Sequence, residues 1–157
     1  MMIKVNVLVQ EKKWKNNISS PKKYIINKSN KIRNIIPRLK NKKITLTILL
    51  TNNKYIKKLN KQYRGKNKTT DVLSFPFYKD QELKKKLKKN KNTYLGDIIL
   101  NYNSLYKLKK LDFKNKFNKL WIHGLLHLIG YKHYKNKDFY KMQRLENKIY
   151  NKIKIIK

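Results

Sequence analysis

The chain has 157 residues, with 42 Lys or Arg against eight Asp or Glu, a formal net charge of +34 and no Cys. That length fits one ordinary domain over residues 1–157, able to bury roughly two-thirds of its unfolded surface without a covalent staple. The missing Cys excludes disulfides and thiolate metal sites, and nothing approaches the roughly 20 apolar residues of a membrane span.

Residues Ile3 to Val9 place Ile3, Val5, Val7 and Val9 on one side and Lys4 and Asn6 on the other, which predicts a strand. The same opening segment lacks the apolar run and small-residue cleavage site of a secretory signal, so a cytoplasmic location is expected. Lys22 to Lys40 carries apolar residues at mixed helical spacing, and Pro37 ends or kinks any helix there. Ile44 to Thr51 (ITLTILLT) predicts a second strand. Asn53 to Tyr63 brings Tyr55, Ile56, Leu59 and Tyr63 onto one helical stripe, and Gly65 marks the exit. Val72 to Phe77 and Leu95 to Asn101 (LGDIILN) are short apolar runs suited to strands, and the lysine-dense Lys79 to Asn92 between them reads as a mobile solvated loop.

From Ser104 onward the pattern turns helical, with one helix near Ser104 to Leu111 and another from about Lys116 to Ile129. A last amphipathic helix starts near Asp138 as N-cap and buries Phe139, Met142, Leu145, Ile149 and Ile153. The sum is an α+β fold, a small mixed sheet of about four strands covered by helices.

All three His of the chain lie in one segment, HGLLHLIGYKH, as His123, His127 and His133. The first two are i,i+4 neighbours on one helix, with Cβ atoms about 5–6 Å apart, so both imidazoles reach a single ion. Gly130 is free to adopt positive φ, end the helix and turn the chain back, which lets His133 complete the set. The metal site therefore falls on a C-terminal helix and the loop after it. Three neutral ligands leave a fourth tetrahedral position to water, the arrangement of catalytic zinc, and keep the full charge on the ion. A structural zinc wants a fourth protein ligand, and Asp138, the nearby candidate, reads better as a cap. The competing reading, three ordinary core or surface histidines, is weakened by their clustering around a glycine.

The spacing equals that of a metallopeptidase pattern, H-E-x-x-H-x-x-G-x-x-H, but Gly124 stands where those enzymes carry the Glu base. Met142 fits the buried stripe of the last helix better than a Met-turn. A metal site without that base suits phosphodiester cleavage, in which cations offset charge growing on the attacked phosphate. The positive charge also favours a polyanionic partner. That inference is discounted, because the absence of Ala and the abundance of Lys, Asn, Ile and Tyr reflect a compositional bias that fills solvated positions with Lys. Only Arg33, Arg38, Arg64 and Arg144 escape it. The fork of Arg64 holds two phosphate oxygens at once, which a Lys cannot do; pairing with Asp71 is the alternative.

With HGLLHLIGYKH and YRGKNKTTDVLSFPF both in place, the chain resembles the YbeY family of endoribonucleases, also called ribosomal RNA maturation factors. The resemblance runs from about Leu59 to Ile149 and takes in LGDIIL and the M-x-x-L-E of Met142 to Glu146, in the family's order. It implies a Zn2+-dependent, single-strand-specific endoribonuclease associated with the small ribosomal subunit. Such an enzyme matures the 3′ end of 16S ribosomal RNA and acts in ribosome quality control. It also implies that His123, His127 and His133 hold one zinc with its water and that Arg64 contacts a substrate phosphate or the transition state. Ser74 and Asp97 fall near the cleft on this likeness, as substrate contacts, or as a core-edge residue and a capping or ligand-supporting residue.

Two departures stand out: Lys132 replaces the Asp often found beside the third ligand, weakening electrostatic support for the metal, and the acidic stretch before the final helix is thinned to YKNKD. The second departure implies stronger, less selective RNA binding. A ribosome-associated RNA-binding assembly factor with a purely structural metal is the second reading, and a metallopeptidase, opposed by Gly124, the remote third.

Overall fold

Among the described residues, the alternating segments and short apolar runs become four strands, β1 (Ile3–Val9), β2 (Ile44–Thr51), β3 (Val72–Pro76) and β4 (Thr93–Asn101). The computed structural model describes residues 3–32, 34–89, 92–133 and 135–156, so Arg33 and Tyr134 lie outside the described residues. The strands form one mixed sheet in the order β1-β2-β4-β3. β1 and β4 both run parallel to β2, and β3 lies antiparallel on β4. Between Thr45 and Thr47 the register shifts, because β4 carries one residue more than β2 there. Gly96, with φ of 128°, absorbs the bulge; a Cβ would stand 2.1 Å from the Phe75 carbonyl oxygen.

The helices are α1 (Trp14–Asn17), α2 (Pro21–Ile32), α3 (Asn53–Arg64), α4 (Asp80–Lys88), α5 (Lys110–Leu128) and α6 (Asn136–Ile153). One face of the sheet, presenting Ile44, Leu46, Ile48, Leu50, Ile98 and Leu100, packs into the main core with residues of α2, α5 and α6. The other face holds a small cluster of Ile56 from α3 with Leu73 and Ile99. Trp14 is fully buried, meets Tyr102 and Phe113 edge-on at 5.6 Å each, and donates its indole N–H to the Thr51 carbonyl at 3.1 Å. Among the described residues no helix is long and apolar enough to cross a membrane.

Several expectations need correction. Lys79 to Asn92 is not a loop throughout, since α4 occupies Asp80–Lys88 and buries Leu83 and Leu87, four residues apart. Asp80 and Glu82 in its first turn and Lys85, Lys86 and Lys88 in its last match the helix dipole. The helix expected at Ser104 to Leu111 is a 3-10 turn at Tyr102–Ser104, and α5 begins at Lys110, ahead of the expected Lys116. The Lys22 to Lys40 region divides into α2 and a 3-10 turn, Pro37–Leu39. α6 starts at Asn136 with Lys135 as its N-cap, so Asp138 sits within the first turn. Met142, Ile149 and Ile153 are buried, whereas Phe139 is 43% exposed.

Candidate metal centre

α5 owes its placement to a glycine. Gly124 faces β4 so closely that a Cβ there would meet the Ile98 side chain at 2.7 Å, which lets the helix axis approach the sheet. With that face fixed inward, His123 and His127 lie half-buried at the edge of the contact. Their rings sit 4.5 Å apart between centroids.

The helix ends in a Schellman turn: the Gly130 N–H donates to the His127 carbonyl at 3.0 Å and the Tyr131 N–H to the Leu126 carbonyl at 3.0 Å. Gly130 supplies the φ of 85° that this reversal requires. The turn swings the Tyr131 carbonyl back over His127, whose Nδ1 donates to it at 3.0 Å. It also delivers His133, with ring centroids 4.9 Å from His127 and 5.7 Å from His123. On the other side, α6 brings Glu146, and its carboxylate accepts from His123 Nδ1 at 2.9 Å.

Both acceptors fix the tautomer, because a neutral ring that donates from Nδ1 keeps a bare lone pair on Nε2. The two Nε2 atoms of His123 and His127 face one another at 2.9 Å. Two lone pairs that close repel unless a cation lies between them. A tetrahedral zinc with Zn–N of about 2.0–2.1 Å sets its nitrogens about 3.3 Å apart, within a few tenths of an ångström of this spacing. The three histidines offer ligand atoms all within 4.8 Å of one another and form a group able to hold a metal ion. Burial, reinforced by the neighbouring His123, lowers the His127 pKa to about 4, so the ring is neutral and ligand-competent at pH 7.

Beside the histidines opens a cavity of about 710 Å³ whose lining includes Arg64, Lys66, Lys68, Lys116, Lys119 and His123. Arg64 is the last residue of α3, followed by Gly65 in the left-handed conformation. Asn60, buried beneath, donates from Nδ2 to the Lys68 carbonyl at 2.8 Å and so folds the next segment along the cavity wall. Asp71, weighed above as a partner of Arg64, has Lys116 Nζ at 4.0 Å. Ser74 pairs with Ile98 in the sheet and therefore shares the face that α5 covers. Asp97 points to the opposite face, where its carboxylate accepts from the Tyr94 hydroxyl at 2.6 Å. Neither residue lines the cavity that Arg64 and His123 share.

Glu146 and the Tyr131 carbonyl, which orient two of the three rings, carry no sequence signal that spacing alone reveals. A ligand histidine nearly always donates its second nitrogen to some acceptor. Which residue provides it depends on how α6 crosses α5.

A family model described as Endoribonuclease YbeY matches residues 8–154. The Endoribonuclease YbeY of Pelagibacter ubique is 46% identical over 98% of this chain and 97% of its own length. That of Buchnera aphidicola (subspecies Acyrthosiphon pisum) is 42% identical over 86% and 83%, and that of Ehrlichia canis 36% identical over 98% and 94%. A Thermotoga maritima protein solved in solution shares the fold, with a TM-score of 0.60 at 23% identity over 94% of this chain and 87% of that one.

Proposed function

The chain belongs to the YbeY endoribonuclease family, and from that premise we propose that it is a zinc-dependent endoribonuclease specific for single-stranded RNA. Its proposed setting is the cytoplasm, on the small ribosomal subunit, where it trims the 3′ end of 16S ribosomal RNA and serves ribosome quality control, with residues 1–157 acting as one domain. The observation that carries the reading is one wall of the cavity: His123 of the histidine group and the guanidinium-bearing Arg64 line the same space.

When bound by His123, His127 and His133, the metal supplies Lewis-acid and water-activating chemistry. Every other part of the work falls to the chain. Glu146 and the Tyr131 carbonyl hold two rings with their Nε2 atoms inward. Lys66, Lys68, Lys116 and Lys119 draw the RNA backbone into the cavity. Arg64, with a planar fork that fits two oxygens of one phosphate, binds the scissile group and offsets the charge it gains as the attacking oxygen closes. Single-strand preference is proposed on the chemistry of the lining, since an unpaired strand can lay its backbone along a row of cations with its bases turned out.

The test is cleavage of a single-stranded RNA by purified protein with and without chelator. Cutting is expected to stop on chelation and in a His127→Ala variant; undiminished cleavage by that variant overturns the proposal. The cationic cavity alone favours the second reading, an RNA-binding assembly factor, in which chelation lowers the melting temperature while RNA affinity persists and no cutting appears.

A further inference from the structure

His133 is the one ligand of the three that no helix carries, since α5 ends at Leu128 and α6 begins at Asn136. Its position depends on how firmly the reversal at Gly130 is held. The Schellman hydrogen bonds fix Gly130 and Tyr131 from within, and a second grip comes from outside the segment.

Arg38, in the 3-10 turn opened by Pro37, donates from Nη1 to the Ile129 carbonyl at 2.6 Å and to Asp80 Oδ1 at 2.9 Å. Its guanidinium lies over the Tyr131 ring, 4.9 Å from the centroid. One side chain therefore clasps the residues on both sides of Gly130. The clasp presses on the glycine itself, since a Cβ there would stand 2.4 Å from Asp80 Oδ1 and 2.8 Å from Arg38 Nη1. Asp80 is anchored in turn by Lys84 Nζ at 2.8 Å. The segment Gly130-Tyr131-Lys132-His133 carries no acid of its own, so α4 supplies the carboxylate that orients the guanidinium.

Electrostatics agree with the contacts, because the Ile129 carbonyl lies at the negative end of α5, where a cation is favoured. A Lys at position 38 brings the charge but not the planar group that stacks on Tyr131 while bonding a carbonyl and a carboxylate together. Position 38 is also one of only four Arg in a chain whose basic residues are otherwise Lys.

The geometry points to Arg38 and Asp80 as positioning residues for the metal: a latch from the 3-10 turn and α4 that sets the Gly130 reversal and, through it, the place of His133. The inference rests on the three-histidine metal reading. It predicts that metal affinity, beyond fold stability, depends on a pair of residues that touch no ligand nitrogen.

The experiment titrates the full metal-free chain with cobalt(II), reading the d–d absorption, and with zinc against a chromophoric chelator. Arg38→Met and Arg38→Lys are expected to bind about 10- to 100-fold more weakly than the parent, with Asp80→Asn following in the same direction. The cobalt spectrum should lose tetrahedral intensity as the third imidazole leaves. Combining Arg38→Met with His133→Ala should weaken binding no further than His133→Ala alone, because both changes remove the same ligand. Variants that melt earlier yet bind cobalt like the parent, or a double variant whose losses simply add, overturn the latch. A parent chain that takes up no cobalt overturns the metal reading beneath it.

Discussion

At the scale of single residues, the centre is a problem of keeping imidazoles neutral and aimed. Burial does the first for His127, whose pKa of about 4 lies well below the 6.5 of a solvated histidine. The sign of the consequence is fixed: between those values the unfolded chain binds a proton at this position that the folded chain refuses. The stability tied to His127 is present above pH 6.5 and is lost as pH falls toward 4. Melting the metal-free protein from pH 7.5 down to 4.5 should show a falling transition temperature, and His127→Gln should flatten part of that decline. Parallel curves for the two proteins would mean that the ring is not protected from water. Glu146 does the second for His123, accepting from Nδ1 and so keeping the other ring nitrogen turned inward.

At the scale of elements, the depth at which α5 lies on β4 decides what position 124 can be. A Glu there, as in the peptidase pattern, has its Cβ 2.7 Å from Ile98 and a carboxylate aimed at the core. Gly124→Glu should destabilise the fold by about 2–4 kcal/mol, from overpacking and burial of a charge, measurable as a lowered urea midpoint, and should confer no peptide hydrolysis. Strands β1 and β2 were legible in the sequence to the residue, because Ile and Val in β1 and Ile and Leu in β2 recur at every second position and leave one reading of the period. The histidine group was legible too, since an i,i+4 pair and a helix-ending glycine are local facts. α4 was not, because two leucines among lysines look solvated until a core is there to receive them. Ser104 to Leu111 misled in the opposite sense. Leu105, Leu108 and Leu111 recur every third residue, but the Asn101 side chain accepts from the Asn103 N–H and tightens the chain into a 3-10 turn. Contacts such as Glu146 to His123 span 23 residues and follow from the crossing of two helices, which no local pattern encodes.

At the scale of the whole molecule, a net charge of +34 makes binding to RNA easy and productive binding a matter of geometry. Charge and shape separate at Arg64. Arg64→Lys keeps the cation, so RNA affinity and its salt dependence should stay near the parent values, while the cleavage rate falls at least about tenfold through loss of the fork. Arg64→Ala should reduce the slope of log affinity against log salt by about 0.7, the share of one phosphate contact on a single strand. Filter binding across a salt series together with single-turnover cleavage reads both quantities, and an Arg64→Lys variant that cleaves at the parent rate would assign Arg64 to simple attraction.

The proposed ligands His123, His127 and His133 stand in a chain that has no thiol. Peroxide and disulfide stress attack metal sites by converting thiolates to sulfenic acids or mixed disulfides, and imidazole nitrogens offer no such ladder to climb. With the ion held as proposed, oxidants that strip cysteine-ligated centres find no thiolate to attack at this one.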